Sequence, residues 1–176
     1  MFICDCIFSV TTIYLSLGSN VGDRAGHIAR AMEALDAAGV RVARQSSLYV
    51  TEPVGFRAQA WFLNCAVEAE TALMPRQLLR VLRDVERKLG RRRLVAQGPR
   101  TIDMDLLFYG AQVMRTPELT VPHPRLAERR FVLLPLAEIA PGFRHPVLGQ
   151  TIAELLAAAG DTFAVRRWRE APANRA

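Results

Sequence analysis

The spacing of apolar residues changes its period along the chain, and this change restricts the folds that the chain can adopt. Apolar residues alternate with polar ones over 10–17, 62–70 and 102–109, a pattern typical of strands that bury one face. Residues 40–50 also have an extended character. We therefore predict four strands in these segments.

Two segments between the strands have apolar residues at helical spacing instead. Asp23 suits the N-cap of a helix that runs to about residue 38, and Gly39 suits its C-terminal end. Pro75 suits the first turn of a second helix that ends at Gly90. The order strand–helix–strand–strand–helix–strand predicts a ferredoxin-like α+β fold, in which an antiparallel sheet carries helices on one face and active-site loops on the other.

The length of 176 residues suits one domain, which we place over 10–165. Residues 1–9 are interpreted as an N-terminal extension without the basic start of a signal peptide, and 166–176 as a basic, solvated tail. No apolar run reaches the roughly 18 residues of a membrane span. The three cysteines are too few and too scattered for a disulfide scaffold, so we expect a cytoplasmic protein with reduced thiols and no membrane partner.

The region after 109 is predicted to hold a hairpin near Gly110 and three short helices. We place these helices around 126–130, 132–139 and 151–159.

The positive charge excludes some functions and favours others. Net charge is +6, and 22 of the 23 basic residues are arginine. The single lysine, Lys88, lies outside any Gly-Lys-Ser/Thr sequence, which excludes a Walker phosphate loop, and the absence of GxGxxG argues against a dinucleotide fold. A basic chain predicts an anionic partner, which on composition alone is a nucleic acid, a nucleotide or an acidic small molecule.

Asp103 and Asp105 lie two residues apart in the last predicted strand, so both carboxylates share one face, roughly 6–7 Å apart along the strand. Neighbouring carboxylates repel each other, and a shared divalent cation would remove that repulsion. Mg²⁺ prefers carboxylate and phosphate oxygens. The pair therefore indicates either a magnesium site or a solvated strand face balanced by arginines.

A basic loop runs directly into the Asp103 strand, so cations and carboxylates converge. Arginine suits bidentate binding of phosphate. The basic residues of segment 83–100 are Arg83, Arg87, Lys88, Arg91, Arg92, Arg93 and Arg100. We interpret Arg83, Arg87 and Lys88 as a solvated helix face. That interpretation fits Arg91, Arg93 and Arg100 less well, so these three are the candidate phosphate ligands.

His123 stands between two prolines in a loop, and this setting alone fits a phosphate donor as well as a structural hydrogen-bonding group. The turn Gly18-Ser19-Asn20 likewise fits a phosphate cradle or a plain turn before a helix.

Short motifs run in a fixed order along the chain, and together they are specific. GPRTIDMDLL at 98–107, followed by VPHP at 121–124, is the strongest pair. In this order the chain resembles the 6-hydroxymethyl-7,8-dihydropterin pyrophosphokinase family of folate synthesis, over about residues 13–160. The supporting motifs are LGSN at 17–20, GDR at 22–24, TEP at 51–53, FLN at 62–64, Glu86 and LGR at 89–91.

The resemblance implies a reaction in which the pterin hydroxymethyl oxygen attacks the β-phosphorus of ATP and AMP leaves. It implies that Asp103 and Asp105 bind two Mg²⁺ ions and that Arg91 and Arg100 stabilise charge in the transition state. The implied pterin-binding residues are Thr51, Pro53, Val54, Phe62, Asn64 and Phe131. The implied residues around ATP are Glu86, Arg91, Arg93, Arg100, His123 and Arg129.

Two departures from the family pattern lie in the basic loop. Gln97 stands where family members usually carry Trp, and the loop is about one residue short. We expect residues 91–97 to close over both substrates, hinged at Gly98-Pro99. Gln97 offers less apolar area than Trp to hold such a lid shut.

An RNA-binding module and another Mg²⁺-dependent nucleotide transferase are the alternative functions. RNA modules stack bases on exposed aromatic residues, whereas only 7% of this chain is aromatic and a KGFGFV-like run is absent. The expected pocket around Phe62 and Asn64 separates a pterin kinase from other transferases. We expect ATP and the pterin as small-molecule partners, no nucleic acid, and a monomer.

Overall fold

A computed structural model describes residues 10–55, 58–91 and 98–169 of the chain. In the described residues, a main antiparallel sheet has the strand order β5-β1-β4-β3-β8, with β2 beside β4 and adjoining β3 along the chain. Its strands are β1 (Thr11–Ser19), β2 (Val40–Gln45), β3 (Tyr49–Thr51), β4 (Phe62–Thr71), β5 (Asp103–Tyr109) and β8 (Val165–Arg167). A short hairpin joins β6 (Met114–Arg115) to β7 (Thr120–Val121).

Four α-helices are described: α1 (Arg24–Ala37), α2 (Pro75–Lys88), α3 (Arg130–Ile139) and α4 (Ile152–Ala158). A 3₁₀ turn at Leu126–Glu128 precedes α3. Of these helices, none is both long enough and apolar enough to cross a membrane.

The predicted ends of the two long helices are confirmed. The Asp23 carboxylate accepts a hydrogen bond from the Gly26 amide at 2.9 Å and so caps α1. Pro75 opens α2. Gly39 and Gly90 follow the two helices with φ of 82° and 81°, the left-handed conformation that ends a helix without strain only at glycine.

The first face of the sheet holds the larger core. Ile13, Leu15 and Leu17 of β1 are fully buried there. They belong to one cluster with Ile28 and Leu35 of α1, and with Leu78 and Leu82 of α2. This packing confirms the α+β fold with two helices on one face, because each helix buries the apolar stripe that its sequence predicts.

The second face is covered at one end only, which corrects the expectation that it stays free of helices. Tyr14, Ala66 and Phe108 are buried there in a cluster with α3 and α4. These side chains are apolar or aromatic, and burying them against two helices stabilises the fold. The other end of this face carries polar residues and remains open.

Two local predictions are shifted in the structure. The extended stretch 40–50 breaks into β2 and β3, because the Ser46 hydroxyl accepts the Ala66 amide at 3.0 Å in place of a strand partner. The hairpin expected near Gly110 is formed instead by β6 and β7, and Gly110 donates its amide to Thr12 at 2.8 Å.

The C-terminal segment is more ordered than the sequence predicts. Val165–Arg167 pairs with β3 along its full length, and the Trp168 amide donates to the Leu48 carbonyl at 2.7 Å. The expectation of a solvated tail starting at residue 166 is therefore wrong for the backbone, although the side chains of Arg166 and Arg167 are exposed as predicted. The strand forms because β3 would otherwise leave an unpaired edge.

Candidate active site

A cavity of about 610 Å³ opens on the polar end of the second face. Among the described residues, every predicted site residue except Pro53 lines this cavity. Pro53 is buried in the loop between Thr51 and Val54, which both line it. Arg93 lies outside the described residues.

Strand register places the two halves of the site. Gly18 of β1 pairs with Asn64 of β4 on one side and with Asp103 of β5 on the other. A Cβ atom at residue 18 would lie 2.3 Å from the Asn64 Oδ1 atom, so only glycine leaves room for this amide. Asn64 in turn donates from Nδ2 to the Thr51 hydroxyl at 2.6 Å, and both residues are buried.

The carboxylate of Asp103 holds two arginines. Arg91 Nη2 lies 2.7 Å from one oxygen, and Arg100 forms an ion pair with the other. Arg91 also pairs with Glu86, whose carboxylate accepts the Met104 amide at 2.7 Å. Arg91 and Arg100 are therefore both paired with the Asp103 carboxylate in this structure.

Glu86 is buried beneath this cluster at the end of α2. Burial raises the pKa of Glu86, and the Arg91 cation works against the shift. The arrangement anchors Arg91 from below while its Nε, itself buried, finds no hydrogen-bond acceptor among the described residues.

Asp105 faces a different set of groups. Burial raises the pKa of Asp105, the nearby Asp103 charge adds to the shift, and His123 and Arg129 oppose it. No hydrogen-bond donor reaches the Asp105 carboxylate within the described ranges. Two repelling carboxylates on one strand face, one of them without a donor, fit the prediction of a cation site.

Such a cation would need ligands from the substrate. In the described part of the chain, no three His, Cys, Asp or Glu residues come together as a complete metal site. Mg²⁺ commonly binds through one or two carboxylates together with phosphate oxygens and water, so Asp103 and Asp105 fit that ion.

His123 is held in one orientation by its own loop. Its Nδ1 accepts the Arg125 amide at 3.3 Å, so in the neutral ring Nε2 carries the proton and can donate. Its amide donates to the Leu107 carbonyl at 2.9 Å, which ties the loop to β5. Burial lowers the pKa of His123, against the effect of Asp105.

Two aromatic side chains contribute to the wall of the cavity. Phe62 and Phe131 both line it, and the Arg129 guanidinium carbon lies 5.5 Å from the centre of the Phe131 ring. Burial lowers the pKa of Arg129, and the neighbouring Arg125 adds to that effect.

Sequence reasoning missed several residues here. Arg83 is exposed, as expected for a solvated helix face, and it also lines the cavity one turn before Glu86. Arg87 is exposed too and pairs with Asp84 at 2.7 Å. Ser16 and Arg125 also line the cavity. Helical spacing from Glu86 could have identified Arg83, and strand alternation could have identified Ser16.

Asn20 has a role that neither sequence alternative foresaw. Its side chain donates to the Gln59 side chain at 3.0 Å and to the Ala60 carbonyl at 3.1 Å. Its Oδ1 accepts the Arg100 amide at 2.8 Å, and its own amide donates to the Arg100 carbonyl at 3.1 Å. Asn20 is thus a clamp between the loop after β3 and the segment before β5.

The predicted lid falls almost wholly outside the described residues. Arg91 is described, whereas 92–97, with Gln97, are not. Closure of this loop over substrate stays a prediction.

Comparison with known proteins supports the resemblance. The family model of 7,8-dihydro-6-hydroxymethylpterin-pyrophosphokinase (HPPK) matches residues 14–141. The 2-amino-4-hydroxy-6-hydroxymethyldihydropteridine pyrophosphokinase of Bacillus subtilis is 44% identical over 158 residues, which cover 89% of this chain and 90% of that protein.

Two longer proteins match over part of their length. The folic acid synthesis protein fol1 of Pneumocystis carinii is 43% identical over 80% of this chain, which spans only 19% of fol1. The crystal structure of Plasmodium falciparum HPPK-DHPS with pteroate shares the fold, with a TM-score of 0.70 at 15% identity over 85% of this chain and 44% of that one.

Proposed function

The chain belongs to the 7,8-dihydro-6-hydroxymethylpterin-pyrophosphokinase family, whose members transfer pyrophosphate from ATP to hydroxymethyldihydropterin in folate biosynthesis, and we propose that it performs this transfer with two Mg²⁺ ions held by Asp103 and Asp105. The observation that carries the proposal is the placement of these carboxylates on the open face, beside Gly18 and opposite Asn64. Magnesium would neutralise the phosphate charge that builds up during transfer.

Arg91 and Arg100 would exchange partners when substrate enters. Both are paired with Asp103 here, so a cation on that carboxylate would release them toward the phosphates of ATP. Glu86 would keep Arg91 oriented, because it binds Arg91 independently of Asp103. We assign both arginines to charge stabilisation at the transferring group, and Glu86, Arg93, His123 and Arg129 to the nucleotide.

The pterin would bind between Phe62 and Phe131, with its polar edge on Asn64. One Asn64 N–H is used by Thr51, which leaves Oδ1 and the second N–H for a ligand. Thr51 and Val54 also line the cavity, and backbone groups of the segment 51–54, which includes Pro53, would complete the pterin pocket.

The sheet spacing sets the distance between the two substrates. Asn64 and Asp103 flank Gly18 on adjacent strands, so about 10 Å separates their Cα atoms. This span suits a bicyclic ring whose hydroxymethyl group points toward the phosphates. In the transfer, the hydroxymethyl oxygen loses its proton to solvent and bonds to the β-phosphorus, while the bond from that phosphorus to the α,β-bridging oxygen breaks and AMP leaves. Positioning is the main contribution that such a reaction needs.

Replacing Asp105 by Asn tests the proposal, because the change keeps the shape and removes the charge. We expect AMP formation from ATP, Mg²⁺ and the pterin to fall about a hundredfold or more, with an unchanged circular dichroism spectrum. Asp103→Asn should behave alike. Asp84→Asn, on the exposed side of α2, is the matched control and should keep full activity. Near wild-type turnover in both site variants would refute the metal assignment, and ADP as product would refute the reaction.

We also propose, from the sequence, a monomer located in the cytoplasm and without a nucleic-acid partner. The number of metal ions belongs to the same proposal.

A further inference from the structure

Arg24 lies at a position where its positive charge does not stabilise its own helix. It is the first residue of α1, where the helix dipole disfavours a positive charge, and the first turn contains no acidic residue. The neighbouring Asp23 carboxylate is used by the Gly26 amide and by Arg30. The reason for an arginine here must therefore lie outside the helix.

The guanidinium reaches across the fold to the polypeptide chain that enters β4. Arg24 Nη1 donates to the Trp61 carbonyl at 2.7 Å, 37 residues away along the chain. Pairing between β3 and β4 ends at Phe62, so the Trp61 carbonyl lies beyond the strand ladder. Arg24 therefore gives this exposed carbonyl a donor from another part of the fold, which ties it to the start of α1.

The bond lies at the end of the loop that carries the proposed pterin groups. We call residues 52–61 the pterin loop; 56 and 57 lie outside the described residues. At its start the Glu52 amide donates to the Ala164 carbonyl at 3.0 Å. At its end Asn20 binds the Ala60 carbonyl, and Arg24 binds the next carbonyl in sequence. Phe62 and Asn64 follow within three residues.

We propose that Arg24 is a positioning residue for the pterin. By binding the Trp61 carbonyl, it fixes the position of the backbone from which Phe62 and Asn64 extend into the cavity. This inference rests on the proposed pterin site. The inference gives Arg24 a different role from the phosphate-binding arginines, because the Arg24 guanidinium binds a backbone carbonyl and does not line the cavity. Loss of the bond would loosen the pterin side of the site and leave the nucleotide side intact.

The test compares Arg24→Ala with Arg76→Ala. Arg76 is a matched control, since it is exposed in the first turn of α2 and its side chain makes no hydrogen bond or ion pair with any described residue. We expect Arg24→Ala to raise the KM for pterin roughly fivefold to tenfold, the loss of one charge-assisted hydrogen bond, with the KM for ATP within about twofold of wild type. Arg24→Lys, which keeps a donor, should recover part of the effect. The melting temperature should match that of Arg76→Ala.

Equal rises in both KM values, or an unchanged KM for pterin, would overturn the inference. Asn64→Ala distinguishes that failure from failure of the proposed site. If Asn64→Ala weakens pterin binding and Arg24→Ala does not, only the role of Arg24 is wrong. If neither variant weakens it, the pterin site itself is misplaced.

Discussion

At the scale of single residues, the site requires one position without a side chain as well as its polar groups. Gly18 has no side chain, and the space above it is taken by the Asn64 amide. The same residue separates the Asn64 strand from the Asp103 strand, so one glycine defines the contact between the pterin half and the phosphate half. A side chain at residue 18 would therefore displace the Asn64 amide directly.

Gly18→Ala is therefore expected to impair pterin binding selectively. The new Cβ would lie 2.3 Å from Asn64 Oδ1 and force that side chain to move. The KM for pterin should rise about tenfold or more, because the displaced Asn64 amide would no longer meet the polar edge of the pterin. The melting temperature should also fall, because residue 18 and Asn64 are both buried and the new Cβ overpacks the space between them. Gly142→Ala, where a Cβ would meet nothing within 4 Å, is the control. Steady-state kinetics with each substrate varied would contradict this account if the KM for pterin stayed constant.

At the scale of elements, the second face shows why half of a sheet stays open. Tyr14 packs against Phe143 with ring centres 5.0 Å apart, and Phe108 lies 4.7 Å from the same ring. These contacts hold the α3–α4 region over one end of the sheet. The helices cannot extend over the other end without burying Asp103 and Asp105, whose charges would lose their hydration.

The C-terminal element is expected to contribute to stability. Trp168 packs against the larger core, and its amide closes the β8 contact with Leu48. Trp168→Ala should lower the free energy of unfolding by about 1–3 kcal/mol, below the loss for a fully buried Trp because the ring is only partly covered. Urea denaturation would measure this, with Arg169→Ala, an exposed neighbour, as the control. Equal stability of the two variants would show that Trp168 contributes no more to stability than an exposed tail residue does.

At the scale of the whole molecule, the cavity unites groups from both halves of the chain with opposing charges. The carboxylates of Glu86, Asp103 and Asp105 face the cations of Arg91, Arg100 and Arg129. Bound magnesium and phosphate would add charge of both signs and satisfy these groups together, so nucleotide and metal should stabilise the fold jointly.

A thermal melt is expected to show this joint effect. With Mg²⁺ and a non-hydrolysable ATP analogue at about 100 times its Kd, binding adds about 2.7 kcal/mol and should raise the Tm by roughly 5–10 °C. The analogue with EDTA should raise it much less. In Asp105→Asn the difference between the Mg²⁺ and EDTA samples should shrink. An equal shift with and without metal would show that the nucleotide binds independently of Asp103 and Asp105.

Local sequence patterns determined the identity of the elements and the orientation of the main site residues. Alternation within β5 suffices to put Asp103 and Asp105 on one face. The N-cap residue Asp23 and the first-turn Pro75 suffice to begin two helices. These properties depend on neighbours in sequence. Even here the pattern fails once, because an irregularity in the β1–β5 register brings Leu107 and Phe108 to the same cluster.

Only the tertiary structure decided which end of the second face is open, how the C-terminal strand returns to β3, and what Asn20 and Arg24 bind. Each of these depends on contacts between segments that are distant in sequence, such as Arg24 with Trp61 and Asn20 with Arg100. A local pattern shows which side of an element is apolar, but not which of several apolar surfaces will cover it. That choice follows from the competition among all surfaces to bury area and satisfy backbone groups, which the complete fold alone resolves.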